Sequence, residues 1–335
     1  MVPEPAPDPL ASALAWRRAG ERVAVATVIG TWGSAPRQPG SRLFANGKGE
    51  FVGSVSGGCV EGAVLEEAAD LLGGGDARGL EYGVTDERAW EVGLSCGGRL
   101  RVWLEPMPVI YEEVAAARRE PRSFALATAL DAGGGHRMLE ADAAGDDAVG
   151  ATVREVLRLD RATIVAEGER EWFVEPFNRP PRLVLIGAVH ISEALARMAA
   201  MVGFEVVVVE PRRRFAEQAS FAAVETRVGW PREELAELGI DPRTAIVSLT
   251  HDPKLDDPAL AASLASPAFY IGALGSRKTM AARLERLRAA GFGDDELARI
   301  CGPVGLDIGA RTPAEIALSI IAQVVSALRG KGVGR

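Results

Sequence analysis

From residue 21 to residue 106 the apolar positions come in short runs, among them "VAVATVI", "GEFVGSV" and "LRVWLEP", separated by turns rich in Gly, Pro and Asn. Runs this short, so punctuated, predict β-strands. The exception lies near residues 60 to 72, an apolar, Glu-bearing stretch that predicts a helix opening directly after the glycine exit "GSVSGGC". The Gly and Pro of "GTWGSAPRQPGSRLF" argue against a long helix before it. From 108 to 178 follow a short helix, the strand-like "SFALATAL", a Gly-rich turn "DAGGGHR", and the runs "ATIVAE" and "EWFVEPF". They predict a β-rich extension packed on the first unit.

At "NRPPR", 178 to 182, consecutive prolines mark a linker. Beyond it the rhythm changes to alternating strands and helices: "RLVLIG", the helix "ISEALARMAAMVG", "EVVVVE", then "AIVSLT" and "AFYIGALG". Uninterrupted apolar runs of this kind belong to parallel strands buried on both faces. The last helix announces its start in "TPAEIALSIIAQVVSAL", where Thr312 caps, Pro313 fits the first turn and Glu315 completes a capping box. The predicted architecture is α/β overall: an N-terminal α+β domain over 1–178, including the extension 108–178, then a Rossmann-like doubly wound domain over 179–335.

Composition narrows the function classes. With 335 residues, 47% of them hydrophobic and 25% charged, the chain has the profile of a soluble globular protein of two or three compact units. A formal net charge of -8 argues against a nucleic-acid binder, which needs a basic face for phosphates. The start "MVPEPAPDPL" lacks a basic and apolar leader, and no apolar run approaches the roughly 18 residues of a membrane span, so a cytoplasmic protein is expected. Three cysteines far apart, with no C-x-x-C pair, predict reduced thiols. His136, His190 and His251 sit in different contexts, and no all-protein metal site is expected.

Three constellations carry candidate chemistry. In the first, Gly187 ends a strand, a helix follows, and Glu210 closes the next strand 23 positions later, where an acidic residue meets a ribose hydroxyl. Val189 and Ser192 stand where a dinucleotide fingerprint has glycines, which weakens a nucleotide site without weakening the fold. Arg212, Arg213 and Arg214 form either a solvated basic loop or a 2′-phosphate site. In the second, "SLTHDPK" and "GALGSRKT" follow later strands, so His251, Asp252, Lys254, Gly275, Ser276, Arg277 and Lys278 are candidates for an anion site in one crevice; a local turn equally accounts for His251 and Asp252. In the third, Cys59 falls at a helix start, where free N–H groups and the dipole stabilise a thiolate, and Cys96 in "LSCGGRL" again abuts two glycines. A small buried apolar residue is the alternative reading of each thiol, and Cys301 is expected simply to pack.

In "TWGSAPRQPGSRLF", "GSVSGGCVEGAV", "LSCGGRLRVWLEP", "VEPRRRFA", "LTHDPKLD", "YIGALGSRKT" and "PVGLDIGARTPAEIALSI" the chain resembles the XdhC/CoxI family of xanthine dehydrogenase accessory proteins. The resemblance implies a chaperone that binds the molybdenum cofactor (molybdopterin, in mononucleotide or dinucleotide form), protects it and presents it to a cysteine desulfurase for sulfuration. It then delivers the cofactor to an apo molybdenum hydroxylase of the xanthine dehydrogenase or carbon monoxide dehydrogenase type. It implies a homodimer and an accessory protein rather than a turnover enzyme. Carried over by position, Cys59 is the candidate contact to molybdenum and Cys96 the second thiol. Glu61 is expected as a proton handler or helix-start charge, and Gly57, Gly58, Ser34, Arg37 and Arg42 shape the pocket. The alternative is an NAD(P)-dependent oxidoreductase built on the last domain.

Overall fold

The computed structural model describes residues 8–33, 37–58, 60–83, 98–120, 122–217, 219–222 and 224–331. The chain divides into two compact units, Met1–Arg179 and Pro180–Arg335.

In the first unit, β1 (Val23–Trp32), β2 (Arg42–Asn46), β3 (Phe51–Gly53), β4 (Arg78–Tyr82) and β5 (Arg99–Pro106) form an antiparallel sheet in the order β3-β2-β1-β5-β4. Alternate residues of β1 go to opposite faces, and both faces are covered. Ala24, Ala26 and Val28 pack with Val64, Ala68 and Leu71 of α2 (Glu61–Gly73). On the other face Val25 and Phe44 meet Leu10 and Leu14 of α1 (Pro9–Arg18) and Tyr111 and Val114 of α3 (Ile110–Ala117). The same cluster takes in Phe124 and Leu126 of β6 (Phe124–Ala129).

That strand belongs to a second antiparallel sheet, β7-β6-β9-β8, with β7 (His136–Leu139), β8 (Thr163–Glu167) and β9 (Arg170–Phe177). Its far face, with Ala125, Ala127 and Ala129, packs on Val149, Val153 and Val156 of α4 (Ala148–Leu159). The first unit is therefore helix, sheet, sheet, helix, with α1 and α3 filling the space between the sheets. Fully burying one such Val or Leu stabilises the fold by about 1.5–3 kcal/mol. The stretch after 108 is more helical than its sequence suggests, because α4 covers a sheet face that would otherwise be wet.

The second unit holds β10 (Arg182–Ile186), β11 (Glu205–Val209), β12 (Glu225–Arg227), β13 (Thr244–Ser248), β14 (Tyr270–Ala273) and β15 (Ile300–Cys301), all parallel, in the order β12-β11-β10-β13-β14-β15. This is the Rossmann order, with its reversal between β10 and β13. Leu183 and Leu185 face α5 (His190–Met201) and α11 (Pro313–Leu328). Val184 and Ile186 face α7 (Pro231–Leu238), α8 (Pro253–Leu264) and α9 (Arg277–Ala289). Short helices α6 (Arg213–Ala216) and α10 (Asp294–Leu297) lie in connections. The start of α11 is as predicted: Glu315 N donates to Thr312 Oγ1 (3.2 Å), and the Glu315 carboxylate accepts from Thr312 N (2.8 Å). No described helix is long and apolar enough to cross a membrane.

Candidate functional site

Residues 54 to 58, between β3 and α2, wrap around one carboxylate. Glu61 Oε1 accepts from Ser54 Oγ (2.7 Å) and from the N–H groups of Val55 (3.2 Å), Ser56 (2.9 Å) and Gly57 (3.0 Å). Its Oε2 accepts from Ser56 Oγ (2.5 Å) and Gly58 N (2.8 Å). Successive N–H groups curving inward make an anion nest, and the curvature needs Gly57 at φ +86° and Gly58 at φ +126°. The chain fills this nest with its own side chain. Burial would push the Glu61 carboxyl up, but the hydrogen bonds from Ser56 and Ser54 outweigh it and hold the group down at about 2. Of the two roles expected for Glu61, this matches a fixed helix-start charge. A proton handler needs a carboxyl that changes state near neutral pH.

Among the described residues, a Cβ on Gly58 would meet nothing within 4 Å. Cys59, the next residue in sequence, lies outside the described residues, as do Cys96 and Ser34. Arg37 is exposed.

Arg42, expected to line the pocket, turns inward between the two sheets. Its guanidinium pairs with Glu175 of β9, donates from Nε to Tyr111 Oη (2.8 Å) and from Nη1 to Gly40 O (3.0 Å). Burial lowers its affinity for the proton, but Glu175 and Tyr111 more than compensate, so its pKa is raised. Beside this pair, His136 Nε2 lies 3.1 Å from Glu105 Oε1, both nearly buried. The Arg42 carbonyl accepts from Ser54 N (2.8 Å), so one residue links the second sheet, the loop ending at Ser41 and the start of the Glu61 loop. Ser54, Ser56, Tyr111 and Glu175 were not among the residues singled out from sequence. The S-x-S-G-G-x-x-E spacing was the available signal for the serines. Glu175, 133 positions from Arg42, had none.

In the second unit the turn after β10 is built without the extra glycines. Gly187 has φ +103°, and a Cβ there would sit 2.4 Å from Thr250 Cγ2. Ser192 is fully buried and donates to Gly187 O (2.5 Å), tying helix α5 to the turn. Glu210, with no exposed surface, accepts from Ala188 N (3.0 Å), Arg212 N (3.0 Å) and the Arg212 guanidinium (2.7 and 2.9 Å). Arg212 in turn lies over the Phe215 ring at 4.2 Å. Burial pushes the Glu210 carboxyl up, yet the Arg212 and Ala188 donors carry it below the usual range. The acid placed for a ribose is thus held by the chain itself.

Thr250 connects this turn to the second constellation. Its Oγ1 donates to Asp256 (2.6 Å), which also accepts from Ser248 (2.5 Å) and pairs with Arg283 (2.7 Å), and Arg283 reaches Leu274 O (3.1 Å) at the end of β14. This buried chain, unforeseen in the sequence, spaces the loops after β13 and β14. His251 is exposed at φ +64°, and Asp252 caps α8 by accepting from Lys254 N (3.0 Å), the local turn that was the alternative reading. Gly275 precedes Ser276, which caps α9 by accepting from Thr279 N (3.1 Å); Arg277 and Lys278 are exposed. Cys301 packs partly buried beside the core under α11. Among the described residues, no group of three or more His, Cys, Asp or Glu is placed to hold a metal ion.

A protein of Bacillus subtilis (strain 168) named as a probable xanthine dehydrogenase subunit is 28% identical over 321 residues, 91% of this chain and 93% of that protein. The molybdenum cofactor insertion chaperone PaoD of Escherichia coli (strain K12) is 27% identical over 312 residues, 92% of this chain and 84% of its own. A crystal structure described as a xanthine dehydrogenase from Bacillus halodurans superposes with a TM-score of 0.66 at 25% identity, covering 97% of both chains. The sequence model of the XdhC and CoxI family matches residues 16–83, with the Glu61 loop inside it, and the model of the XdhC Rossmann domain matches 183–324, from β10 into α11. With both of its characteristic regions present in order, the chain belongs to the XdhC and CoxI family.

Proposed function

We propose that this chain is a molybdenum cofactor chaperone, an accessory protein and not a turnover enzyme. The cofactor is its cargo. In this reading the Cys59 thiolate contacts the molybdenum, Cys96 is the second thiol, and Arg37 faces the phosphate end. The loaded protein shields the cofactor, presents it to a cysteine desulfurase that exchanges an oxo ligand for sulfide, and passes it to an apo molybdenum hydroxylase. It acts in the cytoplasm as a homodimer. A soft thiolate suits a sulfur-ligated metal, and the cofactor's phosphates suit arginine.

The observation that carries the reading is the loop locked by Glu61. Six hydrogen bonds to one ionised carboxylate fix residues 54 to 58, the five positions leading to Cys59, and among the described residues nothing lies within 4 Å of a Cβ on Gly58. A rigid approach is what a thiol needs to meet a bulky ligand. The similarity to PaoD, a molybdenum cofactor insertion chaperone by name, supports the same cargo. Arg42 supports the loops from behind in this scheme and does not touch cargo. The alternative of an NAD(P)-dependent oxidoreductase is weakened by the commitment of Glu210 to Arg212. The test is protein purified from a cofactor-producing, molybdate-fed host: near-stoichiometric molybdenum and pterin are expected, and Cys59→Ala should lose most of both. Wild-type protein that carries neither and cannot be reconstituted refutes the proposal.

A further inference from the structure

The segment from Gly302 to Ala310 has no role in the function proposed above, yet it shapes a cavity of the second unit. A groove of about 900 Å³ opens at the carboxyl ends of β14 and β15 and runs around the edge of β15, away from the turn at Gly187. Its walls include Leu274, Met280, Ile300, Leu306 and Ile316. The loop is held in shape from beneath. Buried Gln323 accepts at Oε1 from Gly305 N (2.9 Å) and Tyr270 Oη (2.6 Å), and Leu306 N donates to Ser319 O (3.2 Å). Only glycine fits at 305, where φ is +99° and a Cβ would lie 2.4 Å from Ser319 Oγ. Such a cavity exists before any ligand arrives and lies in the range of small-molecule sites.

Four charged residues line the groove, and two are already matched: Arg288 donates to Asp294 (2.8 Å). The other two, Arg277 and Asp307, are exposed and form no hydrogen bond or ion pair among the described residues. Apolar walls suit the faces of a planar heterocycle, a lone arginine suits a phosphate, and a lone carboxylate suits the amino group of a base. We propose that this groove is a mononucleotide site for a base bearing an exocyclic amino group, its phosphate on Arg277 and its amino edge on Asp307. The ligand is a free nucleotide or, resting on the chaperone reading, the nucleotide end of a dinucleotide form of the cofactor.

The test uses the full chain and free CMP, GMP, UMP and cytidine by calorimetry, none of which needs molybdenum. CMP and GMP should bind saturably and UMP, which lacks the amino group, more weakly. Arg277→Gln should weaken CMP by about tenfold or more, the scale of one charge-assisted hydrogen bond, while leaving cytidine unchanged. Asp307→Asn should erase the preference for CMP over UMP. Both side chains are exposed, and an unchanged melting curve verifies the fold of each variant. CMP bound as tightly by Arg277→Gln as by wild type, or weakened instead by Glu210→Gln, overturns the assignment. So does failure of CMP and GMP to bind at millimolar concentration, whether the groove is empty or covered by a second copy of the chain. Nucleotide binding without molybdenum loading would fail the chaperone reading alone, and loading without nucleotide binding would fail this site alone.

Discussion

Replacing Glu61 by alanine removes the acceptor for four backbone N–H groups and two hydroxyls at once. The hydroxyls can turn to water or to one another, and Gly57 and Gly58 are exposed enough to be hydrated. Val55 and Ser56 are buried, and their N–H groups lose the Glu61 acceptor. At about 1–3 kcal/mol for each buried orphan donor, Glu61→Ala should cost the first unit about 2–6 kcal/mol, the lower end applying if the loop opens to water. Glu61→Gln keeps one acceptor oxygen, which can serve Val55 and Ser56, but sets an amide nitrogen against Gly58 N; about 1–2 kcal/mol is expected.

The charge of Glu61 adds a pH signature. Its folded pKa, about 2, lies below the ordinary carboxylate value, so its contribution is fully present above the unfolded pKa of about 4.3 and is lost as pH falls toward 2. Wild-type protein should therefore lose a component of stability between about pH 4.5 and 2 that Glu61→Gln lacks. Denaturant unfolding of the first unit gives the size, and hydrogen exchange at residues 55 to 58 gives the place. A Glu61→Ala protein within about 0.5 kcal/mol of wild type, with unchanged exchange in the loop, would show that the nest does not depend on the carboxylate.

Two further outcomes follow from the same kind of accounting. Arg42→Ala strands Glu175 in the space between the sheets and should cost about 3–5 kcal/mol in urea unfolding, whereas Arg42→Met with Glu175→Leu should recover most of it; equal losses in both would mean that packing, not the ion pair, is at stake. Gly187→Ala forces a side chain onto a backbone at φ +103° and against Thr250, so the second unit should lose at least about 1–3 kcal/mol by thermal melting, and an unchanged melting temperature would contradict the geometry of the turn.

The second unit was the more legible in sequence because its strands are buried on both faces and show as unbroken apolar runs. Its helices announce their ends with Gly203, Thr312 and Pro313. The helix α4 escaped notice although Asp147 caps it, accepting from Gly150 N (2.6 Å), and Val149, Val153, Val156 and Leu157 mark one face. The Gly-rich turn before it and the short strands around it dominated the local pattern. Site residues divide in the same way. The place of Glu61 at a helix start is a local property and was visible, while its six partners depend on how the loop curves. The inward turn of Arg42 depends on Glu175, and pairings across two sheets leave no periodic trace.

Glu61 and Glu210 show one construction used twice. In each unit a glycine-bearing turn leads from a strand toward a helix, and in each a carboxylate of the chain accepts the inward-facing N–H groups: Ser56, Gly57 and Gly58 in the first, Ala188 in the second. Both carboxyls lie below their ordinary range because hydrogen bonds, led by the Ser56 and Ser54 hydroxyls for Glu61 and by the Arg212 guanidinium for Glu210, outweigh burial. A phosphate entering either turn would have to displace an ionised group that already has its hydrogen bonds, and it would gain little by the exchange. The turns are therefore rigid supports rather than anion cradles. Affinity for an anionic ligand has to come from groups outside the two turns, which directs attention to Arg277 at the groove of the second unit.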